Sequence, residues 1–183
     1  MQENTKEGNF YSPKKLIMHK YILYLTVFLI SSQFSLAQEE AEIIKNREEY
    51  TSMEQVIKMM DGKPVYVDVW ATWCGPCRQE FKYKDKVDEV LKKHGVEVIY
   101  ISIDKESAGL KWERMVDAYD LSGNHLHASE SLKKELFELY KGNGSISIPW
   151  YMIYDESGEL VIRHAERPSR SSRLDRQLAN VLD

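Results

Sequence analysis

A buried-strand pattern runs straight into two cysteines, and a helical repeat runs out of them. The run Pro64-Val65-Tyr66-Val67-Asp68-Val69-Trp70-Ala71-Thr72 is rich in β-branched and aromatic residues and reads as a buried strand. Trp73-Cys74-Gly75-Pro76-Cys77 follows, and beyond it Val87, Val90 and Leu91 recur at helical spacing. Both thiols therefore sit where a buried strand gives way to an amphipathic helix. Free N–H groups and the positive dipole end of a helix favour a thiolate at Cys74. Pro76 fits the first turn, where a missing N–H costs little. The chain has 2 cysteines in all, so no second pair exists to complete a four-sulfur zinc site. A purely structural disulfide is disfavoured, because such bonds stabilise chiefly by closing long loops. The spacing instead suits a dithiol that cycles: one thiolate attacks a partner's disulfide and the second resolves the mixed disulfide.

With these flanks the chain resembles the thioredoxin superfamily, and within it the TlpA/ResA-like periplasmic thiol-disulfide oxidoreductases. The likeness is carried by Trp70-Ala71-Thr72-Trp73-Cys74-Gly75-Pro76-Cys77 with Glu80-Phe81. It continues in Ser147-Ile148-Pro149, then Tyr151-Met152-Ile153-Tyr154-Asp155 and Ser157-Gly158-Glu159-Leu160-Val161. It covers about residues 50–182 in order. The resemblance implies an α/β, thioredoxin-like fold, a central mixed β-sheet flanked by helices. It also implies a helical insertion between the Val96–Ile103 strand and Pro149. Cys74 would be the nucleophile and Cys77 the resolving thiol of a redox-active disulfide. A cis bond is a minority outcome for any X-Pro, but the family has one where Pro149 stands, beside the nucleophile. The backbone of Ile148 would then pair with an extended substrate peptide. Trp73, Gly75 and Pro76 would rim the sulfur, with Trp70 in the core. Trp150 stands where the family commonly has threonine; an aromatic groove wall and a core position are equally open.

Two carboxylates accompany the thiols. Asp68 lies mid-strand between Tyr66 and Trp70, and burial there should raise its pKa. It resembles the proton acceptor of thioredoxins, whereas many TlpA-like proteins carry asparagine. Glu80 lies three residues past Cys77 on the same helix face. By pattern alone it is a solvated helix glutamate, and the family likeness makes it a residue that tunes the thiols. The two compete for the proton of Cys77. The family often has a proline, with a helix kink, just after Glu80-Phe81; this chain has Lys82.

Lys14, Lys15, His19 and Lys20 precede an apolar stretch from Tyr21 to Ile30, and Ser35-Leu36-Ala37 supplies a small-residue exit. That is the pattern of a secretory signal peptide. The apolar core falls short of the roughly 20 residues that span a bilayer; an uncleaved anchor is the alternative. No cysteine stands near the exit, which excludes a lipoprotein, and Met18 offers an alternative start. The expected organisation is a leader over 1–37, a charged helical or flexible lead-in over 38–49, and one thioredoxin-like domain over 50–183. With a formal net charge of −4 and no basic stripe, nucleic acid is not an expected partner.

Elsewhere, Ser52 can cap a helix carrying Met53, Val56, Ile57 and Met60. The stretch Glu106–Tyr119 reads as a helix with Leu110, Met115 and Val116 inward. Gly123–His127 reads as a loop, and His125 and His127 as polar loop residues rather than metal ligands. Ser129–Tyr140 reads as a helix, Asn143-Gly144-Ser145 as a turn, and Tyr151–Tyr154 with Glu159–Arg163 as a hairpin. A helix over Ser171–Leu182 closes the fold.

The expected function is a periplasmic protein-disulfide reductase with no cofactor or metal beyond the cysteine pair. Uncharged Gly75-Pro76 between the cysteines, the pairing of reducing thioredoxins, leans toward a reductant. The implied partners are proteins bearing disulfides or thiols and a membrane-embedded electron donor, with apocytochrome c as one client class. Two alternatives stand beside it. One is a disulfide-forming oxidase or isomerase using the same residues. The other is a non-enzymatic metal carrier using Cys74, Cys77 and a loop histidine, although the superfamily's copper chaperones separate their cysteines by three residues. A peroxidase is disfavoured, because Thr72 precedes Cys74 by two residues and not three.

Overall fold

The computed structural model describes residues 41–140 and 145–182. The leader over 14–37, its cleavage, the alternative start and the Asn143-Gly144 turn lie outside the described residues. The apolar run becomes β2 (Val65–Trp70), buried at every position. It pairs in parallel with β3 (Glu97–Ser102) on one side. On the other it pairs antiparallel with β5 (Trp150–Tyr154), which turns back into β6 (Leu160–Ile162). β4 (Gly123–His127) and β1 (Ala41–Ile44) extend the parallel side. The sheet order is β1-β4-β3-β2-β5-β6, the expected mixed sheet.

Alternation along β2 sorts its side chains between two apolar layers. Tyr66 and Trp70 face a layer shared with Cys74, Cys77, Phe81, Leu91, Trp112, Leu174 and Leu178. Its helices are α2 (Gly75–Glu80), α3 (Lys84–Lys93), α4 (Gly109–Ala118) and α6 (Ser171–Leu182). Val65, Val67 and Val69 face the opposite layer, closed by α1 (Met53–Lys58) and α5 (Glu130–Tyr140). Ser52 caps α1 in a reciprocal box: its hydroxyl accepts from the Gln55 amide while Gln55 Oε1 accepts from the Ser52 amide. Among the described residues no helix is long and apolar enough to cross a membrane.

Several expectations are corrected. Residues 41–44 of the lead-in form strand β1, pairing Ile43 with His125 and Ile44 with Leu126; only the assembled edge of β4 supplies their hydrogen-bond partners. Gly123–His127 is strand β4 and not a loop, and its histidines are buried at 0% and 6% exposure. The insertion before Pro149 therefore contains a strand as well as helices. In α4 the inward residues are Trp112 and Val116, with Met115 half-buried, while Leu110 is exposed. Trp150 belongs to the core, where its Nε1 donates to the Arg163 carbonyl at 2.6 Å. The helix after Cys77 is interrupted without a proline: a 3₁₀ turn over Phe81–Tyr83 separates α2 from α3. Phe81 there packs edge-on to Trp70, Tyr100 and Tyr119.

Candidate active site

Cys74 is the N-cap of α2, and its Sγ accepts a hydrogen bond from the Cys77 amide at 3.1 Å. The two cysteines are joined in a disulfide with Cα atoms 5.3 Å apart. Cys77 is fully buried and Cys74 retains 4% of its surface, so any partner meets Cys74 first. Trp73 beside it is 62% exposed. Gly75 is half-buried and Pro76 exposed, on the same first turn.

β5 begins with Trp150 opposite Val69. Pro149 therefore stands at the level where β2 gives way to the turn leading to Cys74. The Ile148–Pro149 peptide bond is cis, and both residues are half-buried. A cleft of about 290 Å³ opens here, lined among others by Pro149, Tyr151, His164, Arg167 and Arg170.

The two carboxylates occupy different surroundings. Asp68 is 1% exposed and lies opposite Tyr100 on β3 and Tyr151 on β5. Its Oδ1 has no hydrogen-bond partner among the described residues. Burial pushes its pKa well above the usual carboxylate range, and the charge of Glu80 adds to the effect. The phenols of Tyr66, Tyr100 and Tyr151 are raised too, by burial first and by the Asp68 charge second. Glu80 is buried but satisfied. Its Oε2 accepts from the Ser169 amide at 2.8 Å, and its Oε1 accepts from the Ser169 hydroxyl at 3.1 Å and Arg167 Nη1 at 3.4 Å. It is thus no solvated helix residue; it ties α2 to the turn before α6. Nothing near Glu80 in sequence announces Arg167 and Ser169, which lie 87 and 89 positions away.

A third carboxylate escapes the sequence reading. Asp104 is 1% exposed and binds both the amide and the hydroxyl of Thr72, at 2.7 and 2.8 Å. Its available signal was a polar residue just past the carboxyl end of a buried strand, where sites gather in α/β sheets. The strand histidines point their Nε2 atoms at backbone carbonyls, His125 at Leu121 and His127 at Asp104. Burial holds the His125 pKa down at about 4.

Chemically, this arrangement presents one slightly accessible sulfur at a helix start, a second sulfur within bonding distance, and an unpartnered buried carboxyl oxygen on the same side of the sheet. The Redoxin family model matches residues 41–182. Thiol-disulfide oxidoreductase ResA of Oceanobacillus iheyensis is 32% identical over 80 residues, spanning 44% of this chain and 41% of that protein. ResA of Bacillus thuringiensis is 26% identical over 141 residues, 77% of this chain and 76% of that protein. Among solved structures, a candidate thiol-disulfide oxidoreductase from Bacteroides vulgatus superposes with a TM-score of 0.53 at 30% identity, over 68% of this chain and 79% of that one.

Proposed function

The chain belongs to the Redoxin family, and on that premise we propose that it is an exported protein-disulfide reductase. The observation that carries the reading is the Cys74–Cys77 disulfide at the start of α2, on the side of the sheet that also holds the unpartnered carboxyl oxygen of Asp68. In the dithiol form the Cys74 thiolate attacks a client disulfide. One client sulfur bonds to Cys74 and the other leaves as a thiolate. Asp68 takes the proton of Cys77, whose sulfur then attacks Cys74 and expels the second client thiolate. The client gains two electrons and the pair becomes the disulfide seen here. The proton goes to Asp68 rather than Glu80 because both Glu80 oxygens are already engaged by Ser169 and Arg167. Glu80 acts through its charge, which favours the protonated form of Asp68.

The client segment lies extended past Ile148 and cis-Pro149, with Trp73, Gly75 and Pro76 forming the rim. A membrane-embedded donor returns the electrons, and apocytochrome c is one client class. Export rests on the basic, apolar and small-residue pattern of residues 14–37.

The test is the equilibrium of the Cys74–Cys77 pair with glutathione. A potential near the roughly −270 mV of thioredoxin supports a reductase. One near the roughly −120 mV of DsbA overturns that reading in favour of an oxidase.

A further inference from the structure

We propose that Asp104 and Arg78 are positioning residues: they clamp the Thr72 peptide between them and so hold Cys74 in place at the start of α2. The inference deepens the oxidoreductase reading and rests on it. Every polar group of Thr72 is taken. Its amide donates to Asp104 Oδ2 at 2.7 Å and its hydroxyl to Asp104 Oδ1 at 2.8 Å. Its carbonyl accepts from Arg78 Nη1 at 2.7 Å. The clamp is braced from behind: the Ser102 hydroxyl donates to Asp104 Oδ2 at 2.8 Å, and His127 Nε2 donates to the Asp104 carbonyl at 3.0 Å. Strands β3 and β4 thereby fix a point two residues upstream of the nucleophile.

Burial and exposure explain why this point matters. Asp104 and Thr72 are 1% and 2% exposed, so their charge-assisted bonds are short and strong. Trp73, between Thr72 and Cys74, is 62% exposed and anchors little by packing. Upstream of the sulfur, Thr72 is therefore the nearest firmly held residue. Downstream, Arg78 belongs to the helix that starts at Cys74, and its amide donates to the Cys74 carbonyl at 3.3 Å. One side chain thus links the helix to the strand-end turn across the cysteine. A thiolate at Cys74 gains from the Cys77 amide only while its Sγ stays near the 3.1 Å position seen here. If the clamp loosens, that stabilisation weakens and the thiol holds its proton to higher pH.

The test is the pH dependence of iodoacetamide alkylation at Cys74 in the reduced chain, with wild type, Thr72→Ser, Thr72→Val and Asp104→Asn compared. Thr72→Ser keeps every bond and should keep the wild-type midpoint. Thr72→Val is uncharged and similar in size, but it strands Asp104 Oδ1; its midpoint should rise by about half a unit, roughly a threefold loss of thiolate below the midpoint. Asp104→Asn separates position from charge: removing a negative charge would by itself lower the midpoint, whereas a loosened clamp raises it. A rise in both variants with rescue by serine supports the clamp. Midpoints at or below wild type overturn it, even if thermal stability drops, because the network would then be structural only. If wild-type Cys74 and Cys77 fail to exchange with glutathione at all, the oxidoreductase reading falls and this one with it.

Discussion

Replacing Asp68 with asparagine should abolish one pH dependence of folding stability. In an unfolded chain an aspartate ionises near pH ~3.9. In the folded protein burial, and then the charge of Glu80, hold the Asp68 carboxyl well above that. Between the two values the native state keeps a proton that the unfolded state has lost. Native stability therefore falls as pH rises, by about 1.4 kcal/mol per pH unit for a single group. Below ~3.9 both states are protonated and the penalty is absent; it grows through the window and is constant above the folded pKa. The asparagine side chain cannot ionise, so the stability of Asp68→Asn relative to wild type should climb with pH at about 1.4 kcal/mol per unit from pH ~4 upward. Groups shared by the two proteins cancel in that difference. Urea denaturation of the oxidised proteins, followed by tryptophan fluorescence at half-unit steps of pH, measures it directly. A difference that stays flat would refute the reasoning. So would one that shrinks with rising pH, as a carboxylate stabilised in its charged form would give.

Three further outcomes follow from the same structure. Glu80→Gln removes the charge that helps raise Asp68, so the upper end of the Asp68 window should move to lower pH in the same urea series. Cys77→Ser should accumulate a Cys74-linked mixed disulfide with a disulfide-bearing test peptide, visible by mass spectrometry, and Cys74→Ser should not. Gly123→Ala should destabilise by ~2 kcal/mol or more, read as a lower urea midpoint. The backbone there has φ +87°, and an added Cβ would sit 2.5 Å from Val98 Cγ1.

Local pattern carried much of this architecture. The β-branched run of β2, the helical repeat after Cys77, the Ser52 cap and the hairpin at Ser157-Gly158 are each stated by neighbouring residues, and each is present. Strand β4 was not legible. Gly-Asn-His-Leu-His has the composition of a loop, and only burial between β3 and β1, with Tyr100 stacked on His125 at 4.8 Å, makes a strand of it. Leu110 misled in the opposite way: helical spacing put it inward, yet the packed face of α4 is the one bearing Trp112 and Val116. An amphipathic pattern specifies an angle between faces, and neighbours decide which face they cover.

The candidate site divides along the same line. Two thiols three residues apart, after a buried strand and before a helix, determine a reversible disulfide by covalent reach and helix-start electrostatics, and these are local quantities. Which carboxyl is free to take a proton is not local. Asp68 and Glu80 both flank the cysteines in sequence, but Ser169 and Arg167 arrive from the far end of the chain to engage Glu80, while none of the described residues pairs with Asp68 Oδ1. The clamp on Thr72 likewise needs Asp104, 32 residues away, brought alongside by the parallel pairing of β2 and β3. Chain order is enough to give the paired cysteines and the strand–helix junction that holds them. Only in the assembled tertiary structure is Asp68 buried with an unpaired oxygen while Glu80 and Thr72 are engaged from afar, because burial and long-range hydrogen bonds exist only once the sheet has formed.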